Sequence, residues 1–213
     1  MKEAWTFSLF LHKIRKMDLV FATNNQHKLK ELQALLGNEF HLLSLNDIGC
    51  DEEIPEEQPT LEGNASQKAR FIFEKYGYNC FADDTGLEIE ALHGEPGVFS
   101  ARYAGEEKNA EANMNKVLAE MTKINERNAR FRTVISLIIN GQEKQFEGIV
   151  NGSILRKKRG NSGFGYDPIF LADGFAKSFA EMELSAKNEI SHRGRAVRKL
   201  VDYLKESEHK EWG

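Results

Sequence analysis

Two hydrophobic periods alternate along the chain. Residues 18–22, DLVFA, make a short β-prone run; after the polar TNNQ the apolar positions become Leu29, Leu32, Leu35 and Leu36, one face of a helix closed by Gly37. That order is strand, polar turn, helix. Leu61, Ala65, Ala69, Ile72 and Tyr76 step about four residues at a time and predict a second helix, capped by Thr60 and stopped by Gly77. CFA at 80–82 reads as a strand, and GLEIEAL at 86–92, alternating with period two, reads as another. Ala110, Met114, Val117, Leu118 and Met121 describe a third helical stripe between Gly105 and Thr122. A last stripe, over roughly Arg193 to Lys205, carries Ala196, Val197, Leu200, Val201 and Leu204.

The stretch 129–150 has a different character. ARFRTVISLIIN and EKQFEGIV are β-branched and aromatic runs joined at Asn140-Gly141, the strongest short-range signal for a two-residue hairpin turn, so an antiparallel pair is expected. Together the elements predict an α/β fold with a mixed sheet, elongated if the hairpin forms its own lobe and compact if it does not. No internal repeat or low-complexity tract appears, and 4 prolines leave no linker. One domain over 17–207 is expected, with 1–16 an extension ahead of it, Met17 an alternative start, and 208–213 a tail.

Composition narrows the function. A chain of 213 residues, 40% hydrophobic, is globular and long enough for one core or two small lobes sharing one. No run approaches the ~18 uninterrupted apolar residues that span a bilayer, and WTFSLFL near the start is too short and lacks a small-residue cleavage site. No membrane partner is expected. Cys50 and Cys80 are too few for a disulfide framework or a zinc site, which suits a reducing cytoplasm. A net charge of −4 repels a nucleic-acid backbone, so no nucleic-acid partner is expected either. The exception is RKKRG at 156–160, read as a solvated strand end or loop, with concentration of a polyanion as the lesser option.

Four stretches carry candidate chemistry. TNNQHK, 23–28, lies at a strand-to-helix turn, where unpaired N–H groups, Asn and Thr caps and Lys28 one turn in can hold a phosphate; no Walker A or G-x-G-x-x-G motif accompanies it. NCFADDTG, 79–86, ends an apolar run on Asp83 and Asp84. Because side chains alternate, only one of the two faces a crevice at the strand's carboxyl end, as metal ligand, base, or cap for a turn at Thr85-Gly86. The spacing is not Asp-x-Asp, which removes support for an aspartyl-phosphate intermediate. The acidic loop from Asp51 to Glu62 offers hard oxygen ligands of the kind Mg²⁺ takes, one or two at a time, alongside substrate phosphates. Finally, Gly163 and Gly165 around Phe164 let a flat ligand approach and stack, and Lys187, His192 and Arg193 supply donors beside it or form a polar helix start capped by Ser191.

In this order the four stretches resemble the inosine triphosphate pyrophosphatase family, the house-cleaning XTP/dITP diphosphatases. The matching motifs are FATNNQHKLKEL, ADDTGLEI with PGVFSARYAG after it, GFGYDPIF and SAKNEISHRGRA, over about Asp18 to Leu204. Gly63-Asn64-Ala65 departs from the common Glu-Asn-Ala, and Thr-Asn-Asn from the frequent Thr-Gly-Asn. The resemblance implies an ITPase-like α/β fold: an elongated mixed central sheet flanked by helices, in two lobes with the active site in the cleft between them. It implies a cytoplasmic homodimer that uses Mg²⁺ to hydrolyse ITP, dITP or XTP to the monophosphate and pyrophosphate, by in-line attack of water on the α-phosphorus.

The resemblance also assigns residues. Asp84 is metal ligand and base, with Asp83 supporting it; the second metal carboxylate is Glu56, or alternatively Glu57. Thr23, Asn24, Asn25, Gln26, His27 and Lys28 cradle the phosphates, and Thr85 adds a contact. Phe164 stacks on the base, with Gly165, Tyr166, Asp167, Lys187, His192 and Arg193 around it. Hypoxanthine and xanthine carry an acceptor at C6 where adenine has a donor, so a pocket of donors disfavours ATP. Two alternatives stand beside this reading: a related-fold pyrophosphatase with another base preference, and a non-catalytic nucleotide- or RNA-binding module.

Overall fold

Strand and helix alternate in the first half of the chain and give way to long antiparallel strands in the second. The computed structural model describes residues 17–36 and 40–211; the expected extension at 1–16 and the stop at Gly37 lie outside them. In chain order the elements are β1 (Asp18–Phe21), α1 (Gln26–Leu36), β2 (His41–Leu43), α2 (Leu61–Tyr76), β3 (Cys80–Ile89) and β4 (Pro96–Gly97). There follow α3 (Ala110–Glu120), β5 (Asn128–Ile139), β6 (Gln142–Ile154), β7 (Phe170–Ala172), α4 (Leu184–Ile190) and α5 (His192–Glu211), the last running past the boundary expected at 207. The sheet order is β2-β1-β3-β5-β6-β7, with β4 paired to β3. β1 is parallel to β2 and β3, and the other pairs are antiparallel, so the sheet is mixed.

Alternation along the strands decides the layering. Leu19 and Phe21 of β1 and Phe81 of β3 pack with Leu32 and Leu36 of α1 and with Ala196, Val197, Leu200 and Leu204 of α5. Their neighbours Val20, Cys80 and Ala82 face the other way, onto Ala69 and Ile72 of α2. One end of the sheet is therefore covered on both faces, as parallel strands require. The other end builds its own core from Leu87 and Ile89 of β3, Met114 and Val117 of α3, Phe131 of β5, Val150 of β6, and Phe170 and Phe179. These cores form two lobes, and residues 83–86 of β3 lie between them.

The helices predicted at 61–76 and 110–121 and the hairpin at Asn140-Gly141 are present. Thr60 accepts a hydrogen bond from the Gly63 N–H at 3.0 Å, Gly77 closes α2 in the left-handed region, and Asn140 and Gly141 take φ of 50° and 80°, a type I′ turn. One expectation is corrected. CFA and GLEIEAL are not two strands with a turn at Thr85-Gly86: β3 pairs with β5 without interruption from Cys80↔Ile138 to Ile89↔Ala129. Asp83 and Asp84 thus sit mid-strand, not at a strand end. Gly86 marks close packing rather than a turn, since a Cβ there would meet the Gly97 carbonyl oxygen of β4 at 2.6 Å. Gly148 of β6 plays the same part for α5: a Cβ would meet the His192 carbonyl oxygen at 2.0 Å, and its absence lets the helix start lie against the sheet.

Candidate active site

Between the lobes opens a cleft of about 790 Å³. One wall is the β1-to-α1 turn. Thr23 accepts from the Asn25 N–H at 3.2 Å, and Asn25 Oδ1 accepts from the N–H groups of His27 (3.0 Å) and Lys28 (3.3 Å). Those two amides are already capped, so anion capture here rests on side chains more than the sequence suggests. Thr23, Asn24, Asn25, His27 and Lys28 line the cleft; Gln26 is exposed and does not.

The floor is β3, whose alternation sends the two aspartates to different partners. Asp83, buried, accepts from Lys28 Nζ at 2.9 Å and from Arg193 Nε at 3.3 Å. Burial alone pushes its carboxyl up, but Lys28, Arg193 and Lys68 together hold it well below the usual carboxylate range. Asp83 is therefore a fixed anion beneath the cleft. Asp84 takes the opposite course: it accepts from Asn64 Nδ2 at 3.1 Å and faces Lys68 Nζ at 3.6 Å, yet burial raises its pKa above the ordinary value. Lys68 Nζ also lies 2.5 Å from Glu56 Oε1, and although burial disfavours its charge, Asp84 and Glu56 raise its pKa. Glu56 lines the cleft; Glu57 is exposed and does not.

These donors fit a divalent cation. Two carboxylates converge on a spot that already holds the positive Lys68 ammonium, and both offer hard oxygen. Among the described residues no group of three or more His, Cys, Asp or Glu side chains converges, so the protein would supply Asp84 and Glu56 and leave other positions to water and substrate, the habit of Mg²⁺.

The opposite wall carries a stacked pair of rings. His27 lies parallel to Phe164 with ring centroids 5.2 Å apart, and the Lys187 ammonium stands over Phe164 at 5.0 Å. Asp167 shapes the Phe164 loop by accepting from the Phe164 N–H at 2.8 Å and from Lys187 Nζ at 2.7 Å. Tyr166 is buried, its hydroxyl donating to the Ser100 carbonyl at 2.8 Å, so it serves the lining more than an open surface. His192 and Arg193 begin α5 as expected, with Ser191 accepting from the Gly194 N–H at 3.1 Å, but both are fully packed rather than solvated. His192 stacks on Phe131 at 4.5 Å, and its buried Nδ1 has no hydrogen-bond partner. Burial first, then Arg193 and Lys187, push its pKa well below 6.5, so the ring is neutral.

Beneath the stacked pair, Glu31 of α1 binds Lys187 Nζ at 2.7 Å and also accepts from Arg193, tying the α1 wall to the aromatic wall. Sequence reading missed Glu31, Asn64, Lys68, Arg102 and Lys108, all beside or within the site. One signal was available: Lys68 falls on the buried stripe of α2 between Ala65 and Ala69, where an unpaired lysine is not tolerated. RKKR, by contrast, is surface structure: Arg156 bonds Asn125, Lys158 bonds Glu111 and Asn115, and Arg159 bonds Glu181 and the Ala176 carbonyl.

A mixed sheet with a cleft between two lobes places the chain among the two-lobed α/β proteins. Residues 19–203 match the Ham1 family, and the chain belongs to that family. It is 54% identical over 189 residues to a dITP/XTP pyrophosphatase of Flavobacterium psychrophilum, covering 89% of this chain and 100% of that protein. It is 55% identical over 188 residues to another from Christiangramia forsetii, covering 88% and 99%. Among solved structures, a HAM1 protein from Coxiella burnetii superposes with a TM-score of 0.83 at 37% identity, covering 89% of this chain and 99% of that one. The match confirms the expected fold.

Proposed function

We propose that the protein hydrolyses non-canonical purine nucleoside triphosphates, dITP, XTP and ITP, to the monophosphate and pyrophosphate, using Mg²⁺. Relatives of this name match it over nearly their whole length at more than half identity. The observation that carries the reading is the Asp84–Lys68–Glu56 cluster set in the same cleft as the Phe164 ring. Carboxylates with a bridging ammonium suit a polyphosphate and its cation; the Phe164 ring, once His27 gives up its place on it, suits a base.

In this reading Mg²⁺, held by Asp84 and Glu56, supplies positive charge to the triphosphate when bound. Asp84 takes the proton of a water aimed at the α-phosphorus, and pyrophosphate leaves. Lys68 keeps the two carboxylates together and offsets their repulsion. Asp83 stays ionised and holds Lys28 and Arg193 in place from below. The base stacks on Phe164, and Lys187, Arg193 and neutral His192 offer donors to the C6 oxygen of hypoxanthine or xanthine; the amino group of adenine would leave them unmatched.

The same reading makes the protein a cytoplasmic homodimer. The family resemblance supports both, and two free buried thiols suit a reducing compartment. Sedimentation of the purified protein at twice the chain mass tests the dimer. The test of the activity is release of pyrophosphate from ITP, XTP, dITP, GTP and ATP with and without Mg²⁺. Preference for the first three, dependent on Mg²⁺, is expected; orthophosphate as the product contradicts the proposed scissile bond.

A further inference from the structure

Six basic side chains, apart from histidines, line the cleft: Lys28, Lys68, Arg102, Lys108, Lys187 and Arg193. Four are already committed to carboxylates. Lys28 pairs with Asp83, Lys68 with Glu56 and Asp84, Lys187 with Glu31 and Asp167, and Arg193 with Glu31 and Asp83. A cation whose charge is matched by a buried anion contributes little net field to an incoming polyanion. Two remain, and both come from the segment between β4 and α3. Arg102 gives one N–H to the Glu56 backbone carbonyl at 3.2 Å and lies over Phe99, with no carboxylate partner. Lys108 is exposed, and its side chain has no hydrogen bond or ion pair among the described residues.

Two further observations single out Lys108. Its φ is 52°, a left-handed conformation that a lysine adopts at a cost, in a loop where Gly105 already supplies flexibility. Its segment also adjoins the acidic wall, since Arg102, six residues earlier, donates to the Glu56 carbonyl at 3.2 Å. An unpaired ammonium is thus held on the side of the cleft nearest the proposed cation site.

We propose that Lys108, with Arg102 beside it, receives the terminal two phosphates of the substrate and holds them as they leave, which makes this wall the reader of a triphosphate tail. This rests on the pyrophosphatase reading above. On this placement a nucleoside monophosphate lacks the groups that the wall receives, and inorganic pyrophosphate carries them. The other cleft cations keep their partners with or without a tail, so the two products should respond differently to loss of Lys108.

The experiment compares product inhibition by pyrophosphate and by deoxyinosine monophosphate during Mg²⁺-dependent dITP hydrolysis. In Lys108→Ala the inhibition constant for pyrophosphate rises about tenfold, the loss of one charge-assisted contact, and rises further when Arg102→Ala is added. That for deoxyinosine monophosphate moves less than about twofold, Lys108→Arg restores pyrophosphate inhibition, and Lys157→Ala, which removes an exposed cation outside the cleft, changes neither. Equal weakening of both products, or unchanged pyrophosphate inhibition in Lys108→Ala, overturns the inference. If the unmodified protein releases no pyrophosphate at all, the functional reading fails first and this inference with it.

Discussion

Glu31→Gln is the sharpest probe of what holds the two walls of the cleft together. The Glu31 side chain is 6% exposed and sits between Lys187 Nζ, at 2.7 Å, and the Arg193 guanidinium, itself 2% exposed. Each cation keeps one other anion, Asp167 for Lys187 and Asp83 for Arg193, so neither is stranded by the change. Breaking a buried ion network by removing a partner costs roughly 3–5 kcal/mol; Gln keeps the shape and one acceptor, which brings the expected loss to about 2–3 kcal/mol. With a urea slope of about 2 kcal/mol per molar, the unfolding midpoint falls by about 1–1.5 M. The pH dependence follows from direction alone. Burial disfavours the Glu31 charge, but Arg193 and Lys187 outweigh it and lower its pKa below the ordinary carboxylate value. The unfolded carboxyl therefore takes a proton first as pH falls. The stabilisation is complete above the unfolded value of about 4.5 and is lost as pH drops through the folded one, so the gap between the two proteins closes in acid. A midpoint shift under about 0.3 M at neutral pH refutes the network as a structural tie.

Other expectations follow from single residues. Asp84→Asn lowers pyrophosphate release by about 10²- to 10⁴-fold, the usual worth of a positioned base, while far-UV circular dichroism and melting temperature stay near those of the unmodified protein; an active variant removes Asp84 from the chemistry. His192 is neutral in the fold and protonates in the unfolded chain below about pH 6.5, so it costs stability as pH falls. Against His192→Phe, which keeps the stack on Phe131, the unmodified protein should lose about 1 kcal/mol between about pH 7 and about pH 5.5; parallel stability profiles contradict a neutral buried ring. Thr60→Ala removes the α2 cap and should cost about 1 kcal/mol in urea unfolding, and no change would mean that Thr60 adds nothing to the helix start.

What could be read from the chain was whatever a local rule specifies. α2 was legible because a four-residue apolar step, a Thr cap and a Gly stop agree at 60–77; the β5–β6 hairpin was legible because Asn-Gly accepts the left-handed turn. β2 and β7, three residues each, carry too few positions for a period to show. Thr85-Gly86 misled because that pair favours turns in isolation, and only the ladder to β5 and the approach of β4, both distant in sequence, hold it extended. The motifs at 23–28, 83–85 and 163–167 do meet in one cleft, apart from Gln26, Gly163 and the buried Asp83. The ions between them stayed invisible for a different reason: Glu31 finds Lys187 across 156 positions, and no period in one sequence encodes a pairing over that separation.

The central claim is that water attacks the α-phosphorus in the cleft holding Asp84. Hydrolysis of dITP in heavy-oxygen water, followed by mass spectrometry of both products, tests it most directly. The account predicts one heavy oxygen in the deoxyinosine monophosphate and none in the pyrophosphate, with both products formed about 10²- to 10⁴-fold more slowly in Asp84→Asn. Heavy oxygen in pyrophosphate or orthophosphate, with an unlabelled nucleotide, would contradict it.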